Sequence, residues 1–221
     1  GETTVRLNLA LVGIVSGSET ISINSALNAI FDRAGNTSPI TSTTGIVSLI
    51  DQSAPFVTNV TSTAANGAYK QGSTIQIQIT FNEVVDITGV PQLTLETGTI
   101  DRVANYVSGS GTTVIFFTYT IQLGDNSSDL EYLATTSLAL NGGAIKDSTF
   151  NNASLVLPAL SNTSSLGVNK NIVIDTTLPK IASSSLGTNN SFVDIIFSEP
   201  VYSNVGSGPL VPSDLQLIFA A

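Results

Sequence analysis

Residues 74–81, TIQIQITF, place isoleucine or phenylalanine at every second position with polar residues between them. That period belongs to a strand with one buried face, because successive side chains of extended backbone point to opposite sides of a sheet. The same alternation recurs in TVRLNLALV (4–12), PQLTLET (91–97), RVANYV (102–107), TTVIFFTYTI (112–121), LVLP (155–158), KNIVI (170–174) and FVDIIF (192–197). Gly, Asn, Ser and Asp fill the gaps, which is turn chemistry, and the strands follow one another at intervals of about 8 to 15 residues. An all-β chain is expected. SALNAIF (25–31) is the one helix-like stretch, and at that length it reads equally as a turn.

Two junctions punctuate the strands: SLIDQSAPFV, with Asp51 and Pro55, and IVIDTTLPKI, with Asp175 and Pro179. Each ends one strand in Asp and opens the next just after Pro, as expected where one domain passes to another. About 124 residues separate them, a length suited to an immunoglobulin-like sandwich of seven or more strands. Internal comparison points the same way. ITFNEVVDITG (79–89) aligns with IIFSEPVYSNVG (195–206), and NAIFDRAGNTS (28–38) with GGAIKDSTFNNAS (142–154).

The chain therefore reads as tandem immunoglobulin-like β-sandwich domains, one complete and two partial. Residues 1–53 are the rear of one repeat, 54–177 a complete one, and 178–221 the front of the next. Such a window is expected to belong to a longer repetitive protein. Each half repeat, taken alone, is expected to expose unpaired strand edges and an uncovered apolar face. The second apolar strand of the last part is expected at 215–219.

Composition narrows the chemistry. The chain has no Cys and no His, which removes zinc sites, thiol nucleophiles, Ser-His-Asp triads and haem ligation, and leaves oxygen-ligand metals such as calcium. Sixteen acidic residues against seven basic give a net charge of -9, so no basic surface exists to release counterions from nucleic acid. Charged residues make up only 10%, and Ser, Thr, Asn and Gly carry the polar surface, a common composition for extracellular β proteins. No run approaches the roughly 20 apolar residues that span a bilayer. The start, GETTVRLNLALVGIVSGSET, lacks the pattern of a signal peptide, so any secretion signal is expected outside this window.

In YKQGSTIQIQITFNEVV, PQLTLETG, YVSGSGTTVIFFTYTIQLGDNSSDLEY, LALNGGAIKDSTFNNASLVLP, IVIDTTLP and FSEPVYSNVGSG, the chain resembles bacterial Ig-like repeats of very large cell-surface proteins, including the repeats named for cyanobacterial swimming motility. The resemblance implies a secreted or surface-anchored adhesin or filament whose repeats act as spacers, and it implies calcium at domain junctions in some relatives. The central repeat departs from the pattern in KDSTFNN, which lacks the Ala-Gly-Asn of residues 34–36.

Strand direction brings a set of oxygen ligands to one pole. The strand ending at Phe81 runs back toward the domain entrance, which puts Glu83 near Asp51, and the loop with Asp147, Asn151 and Asn152 reaches the same end. Such a set suits a junctional Ca²⁺. Asp175 with Glu199 would repeat the arrangement at the next junction, and Asp32 with Asn36 would supply its third element from another repeat. The other reading is that these Asp and Asn residues form turns and satisfy their own backbones.

Asp125, Asn126, Asp129 and Glu131 lack the spacing and glycine of an EF-hand and read as a polar loop. Glu83 and Asp86 form a carboxylate pair, but the chain has no Trp to build a sugar-stacking platform, and catalysis is not expected. Lys170 is the one lysine placed for an isopeptide crosslink. Three functions stay open on sequence: a structural stalk made of repeats and bundled with copies of itself, a carbohydrate- or protein-binding module, and a pilus-like subunit whose residues 178–221 complete the sheet begun by 1–50 of a neighbour.

Overall fold

The computed structural model describes residues 4–23, 30–38, 46–204, 207–216 and 218. In chain order the strands are β1 (Thr20–Ile21), β2 (Val47–Ser48), β3 (Val57–Ser62), β4 (Gly67–Tyr69), β5 (Thr74–Thr88), β6 (Gln92–Glu96), β7 (Arg102–Ser108) and β8 (Thr112–Thr120). They continue with β9 (Asn126–Ser127), β10 (Glu131–Tyr132), β11 (Leu138–Ala139), β12 (Ala144–Lys146), β13 (Ile172–Asp175), β14 (Ile181–Leu186) and β15 (Val193–Phe197). A single turn of α-helix, α1 (Leu166–Asn169), precedes β13. The chain is all-β and divides into two compact units, 1–175 and 176–221.

The first unit is organised by β5, whose fifteen residues form the spine of an eight-stranded sheet. The order runs β10-β6-β7-β8-β5-β12, with β11 also on β6 and β3 also on β5. Ile75, Ile77, Ile79 and Phe81 of β5 are almost wholly buried, as the alternation predicts. Along one edge β5 pairs first with β3, through residues 77–81, and then with β12, through 86–88. On its other edge β8 runs antiparallel to it, with a break in register between Thr80 and Val85. That break lets one strand serve two neighbours in succession, because a local irregularity bends the strand and raises its twist.

A second, three-stranded sheet has β13 at its centre, parallel to β4 and antiparallel to β9. Ile172 and Ile174 of β13 join Ile77, Phe117, Leu93 and Tyr132 of the larger sheet in one hydrophobic cluster. Each such side chain contributes about 1.5–3 kcal/mol when fully buried. Tyr106 meets Phe117 edge-on, with ring centres 6.1 Å apart.

Before β3 the order is sparser. β1 and β2 form a two-stranded antiparallel sheet. Residues 4–12, expected as a strand, belong to none. Their alternation is present, yet among the described residues no neighbour supplies the ladder that makes a strand. Val5, Leu7 and Leu9 instead line, with Ile21, Val47 and Leu49, an open groove of about 490 Å³. LVLP (155–158) is likewise outside any strand, although Leu157 is buried and donates its amide to the Thr135 carbonyl. Residues 25–29 of the helix-like stretch lie outside the described residues.

In the second unit β14 and β15 form an antiparallel pair. Its register reproduces that of β3 with β5. Val57 faces Phe81, a bulge follows, and Asn59 to Ser62 face Thr80 back to Ile77. Ile181 faces Phe197, a bulge follows at the same place, and Ser183 to Leu186 face Ile196 back to Val193. The closing bonds match too. The Asn82 amide donates to the Phe56 carbonyl as Ser198 does to Lys180. The Phe56 amide donates to Asn82 Oδ1 as Lys180 does to Ser198 Oγ. Leu215 and Gln216 are not in a strand, contrary to the expectation for 215–219, of which 217 and 219 lie outside the described residues.

Candidate metal centre

Asp51, Glu83 and Asp147 meet at one end of the first unit, each offering a carboxylate oxygen within 4.8 Å of the other two. Asp51 lies on the segment leading into β3, Glu83 on β5 two residues past the last β3 pairing, and Asp147 directly after β12. The three therefore come from the chain's approach, a strand of the large sheet and a loop. Two oxygens on opposite sides of a Ca²⁺ ion stand about 4.8 Å apart, so the spacing fits one such ion.

Asp147 is the buried member. Its Oδ1 accepts the amides of Thr149 (2.8 Å) and Asn151 (2.9 Å) and the Thr149 hydroxyl, and its Oδ2 accepts Asn151 Nδ2 at 2.7 Å. Burial pushes this carboxyl up, but the bonds from Asn151 and Thr149 outweigh it, so the group lies below the usual carboxylate range. Asn151 Nδ2 also donates to the Asp51 carbonyl at 3.1 Å, tying the loop to the incoming chain. In this arrangement Asn151 is a clamp that donates, while Oδ2 of Asp147 keeps capacity for a ligand. Asn152 bridges Lys146 across the base of the loop.

Glu83 is half-buried, and its Oε1 accepts Asn82 Nδ2 at 3.2 Å. Burial raises its carboxyl above the ordinary range, the Asn82 bond opposes, and the charges of Asp51 and Asp147 add to the rise. Asp51 Oδ1 accepts the Ser53 amide at 2.8 Å. Three carboxylates thus share a small volume, with one of them reluctant to ionise, a condition that a cation would relieve.

Asp32 and Asn36 build a second copy of the Asp147 loop. Asp32 Oδ1 accepts the amides of Ala34 (2.9 Å) and Asn36 (2.8 Å), and its Oδ2 accepts Asn36 Nδ2 at 2.7 Å. The Asp32 amide returns to the Asn36 carbonyl, as that of Asp147 does to Asn151. Phe31 bridges Thr37 as Lys146 bridges Asn152. The change from Ala34-Gly35 to Thr149-Phe150 therefore leaves the loop intact, with Asn151 in the place of Asn36. Phe150 takes the position of Gly35 and adopts the same left-handed backbone, φ 71° against 88°.

The remaining expected ligands are not in the acidic group. Asp175 ends β13 and is exposed, and Glu199 lies in the second unit just past β15. The Glu199 Oε1 atom is shielded from solvent and makes no hydrogen bond.

The polar loop expected at Asp125, Asn126, Asp129 and Glu131 carries one buried carboxylate. Asp125 is 1% exposed and accepts Tyr119 Oη (2.6 Å), the Gln122 amide (2.8 Å) and Arg102 Nε (2.7 Å). Burial raises its carboxyl, but these three bonds prevail and hold it below the usual range. Glu131 accepts the amides of Leu166 and Gly167 at the start of α1, and Asp129 accepts that of Ile172. Their oxygens serve backbone donors, which is structural work. Arg102, 23 residues from Asp125, was the unrecognised partner. Lys170 Nζ donates to the Ala64 carbonyl at 3.0 Å, which holds the lysine to backbone.

Among the described residues no helix is long and apolar enough to cross a membrane. No protein-family model, no curated protein and no solved structure matches the chain.

Proposed function

We propose that this chain is a segment of the stalk of a very large secreted or surface-anchored bacterial filament or adhesin, built from tandem immunoglobulin-like sandwiches and non-catalytic. The observation that carries the reading is repetition at the level of single hydrogen bonds. A strand pair with its bulge, its closing amide bonds and the Asp-Asn loop each occur twice in one chain. Repeated sandwiches strung end to end provide reach, and each repeat stabilises itself and its neighbours. The sparse charge and the Ser, Thr and Asn surface suit an extracellular setting, and their exposed faces would make the lateral contacts of a bundle.

Asp51, Glu83 and Asp147 are the residues that would hold Ca²⁺, which would supply charge neutralisation and a crosslink among incoming chain, strand and loop. A crosslink there would stiffen the entrance to the repeat. Electron microscopy of native material with and without a calcium chelator tests the whole reading. Long filaments with a regular axial repeat that soften under chelation are the expected result. Isolated particles indifferent to chelation would refute it.

A further inference from the structure

One residue of the complete repeat departs from its counterpart in a way that folding does not explain. Phe150 holds φ 71° and is 78% exposed. A bulky side chain in left-handed backbone costs free energy, and an exposed ring recovers none of it by burial. The Asp32 loop closes the same bonds around Gly35, so the loop needs no ring at this place. A backbone outlier of this kind points to a use outside folding.

Phe150 lines a pocket of about 380 Å³ together with Asp86, Thr88, Ala144, Lys146, Asp147 and Ser148, all of them within the complete repeat. That volume falls in the range of small-molecule sites. β5 and β12 supply four of these residues, with Thr88 opposed to Ala144 and Asp86 to Lys146. Ile87 and Ile145 alternate with them and pack on the core, which puts the four on the opposite face of the ladder. Although Asp86 and Lys146 stand opposite each other, the only ion pair among the described residues is Arg102 with Asp125. The side chains of Asp86, Thr88, Lys146 and Ser148 make no hydrogen bond to any described residue. In the other repeats Tyr202 matches Asp86 and Phe31 matches Lys146, so the charged pair, like the exposed ring, is particular to this repeat.

We propose that this pocket binds a neutral saccharide, one pyranose face stacked on Phe150 and its hydroxyls shared between Asp86 and Lys146. The class of ligand follows from the lining. Asp86 and Lys146 offset each other, so a cation or an anion gains from one and loses to the other. A wholly apolar ligand strips water from both and returns a hydrogen bond to neither. A sugar hydroxyl donates to a carboxylate and accepts from an ammonium at once, and Thr88 and Ser148 add two further hydroxyls. The C–H bonds of a pyranose face meet the negative face of the Phe150 ring. This site goes beyond the stalk reading and does not rest on it.

A glycan array probed with the full chain, labelled at its N-terminus so that Lys146 stays free, tests this. Neutral saccharides are expected to bind in preference to acidic ones, and the best of them should receive saturation transfer from the chain in solution NMR. Phe150→Gly should weaken that binding at least about fivefold. Its urea midpoint should hold or rise, because Gly35 shows that glycine suits the loop. Lys146→Ala, whose side chain ties down nothing in the fold, should weaken binding by a similar factor at an unchanged midpoint.

An array on which no glycan binds, a preference for acidic glycans, or binding that both variants leave unchanged would each overturn the proposal. So would a Phe150→Gly chain that loses its midpoint while Lys146→Ala keeps full affinity, since the ring would then be structural. None of these results bears on the filaments and axial repeat by which the stalk reading is judged, and globular particles that bind the glycan would sink that reading alone.

Discussion

Asp125 illustrates how one carboxylate can hold a fold without belonging to a functional site. It is buried and accepts three bonds, so removing its charge strands Arg102 and Tyr119. Asp125→Asn should cost about 3 kcal/mol, read as a lower urea midpoint. Because its folded carboxyl is depressed, the stability it adds is complete above its unfolded pKa of about 3.9 and is lost as pH falls through the lower folded value. The gap between the parent chain and the variant should therefore narrow in acid. Glu83 behaves oppositely. Its folded carboxyl is raised, so ionising it at neutral pH weakens the fold when no cation is present. Glu83→Gln should raise the melting temperature by about 2–4 °C in chelator and abolish most of any rise caused by added Ca²⁺. An equal calcium response in both proteins, measured by calorimetry, would remove Glu83 from the site.

At the scale of elements, β12 shows how a short strand positions chemistry. It is three residues long, pairs with the end of β5, and delivers Asp147 immediately after its last pairing there. Gly143 precedes it, and a Cβ there would stand 2.1 Å from the Thr88 carbonyl oxygen. Gly143→Ala should displace β12, destabilise the unit by about 1–3 kcal/mol and weaken Ca²⁺ binding together with it, measurable by urea unfolding and titration calorimetry. The long strands β5, β6, β7 and β8 are legible in the alternation of their residues, and so are β13 and β15. The two- and three-residue strands β4 and β9 to β12 are too short for a period to show. Residues 4–12 alternate as well as β6 does, yet form no strand, because alternation reports a face and not the presence of a neighbour. The acidic group is legible for a related reason. Strand direction is countable from the turns, and the Asp-x-x-x-Asn loop occurs twice. The Arg102 to Asp125 pair is not, since it depends on how two distant turns fold together.

Over the whole molecule, the recurrence of a strand pair in the same register, bulge included, argues that the repeat is a structural unit as well as a sequence one. The parallel pairing of β4 with β13 has a mechanical consequence. β13 ends the first unit and β4 follows directly after β3, with Ile172 to Ile174 aligned on Gly67 to Tyr69. Pulling the two ends of the repeat apart would load those bonds in shear, so that they must rupture together, whereas an antiparallel terminal pair could unzip one bond at a time. Single-molecule force spectroscopy should record one high rupture event per repeat, and Gly67→Pro, which removes the amide that donates to the Asn171 carbonyl, should lower that force. A stalk made this way would bear tension along its axis without any single bond having to carry the load alone.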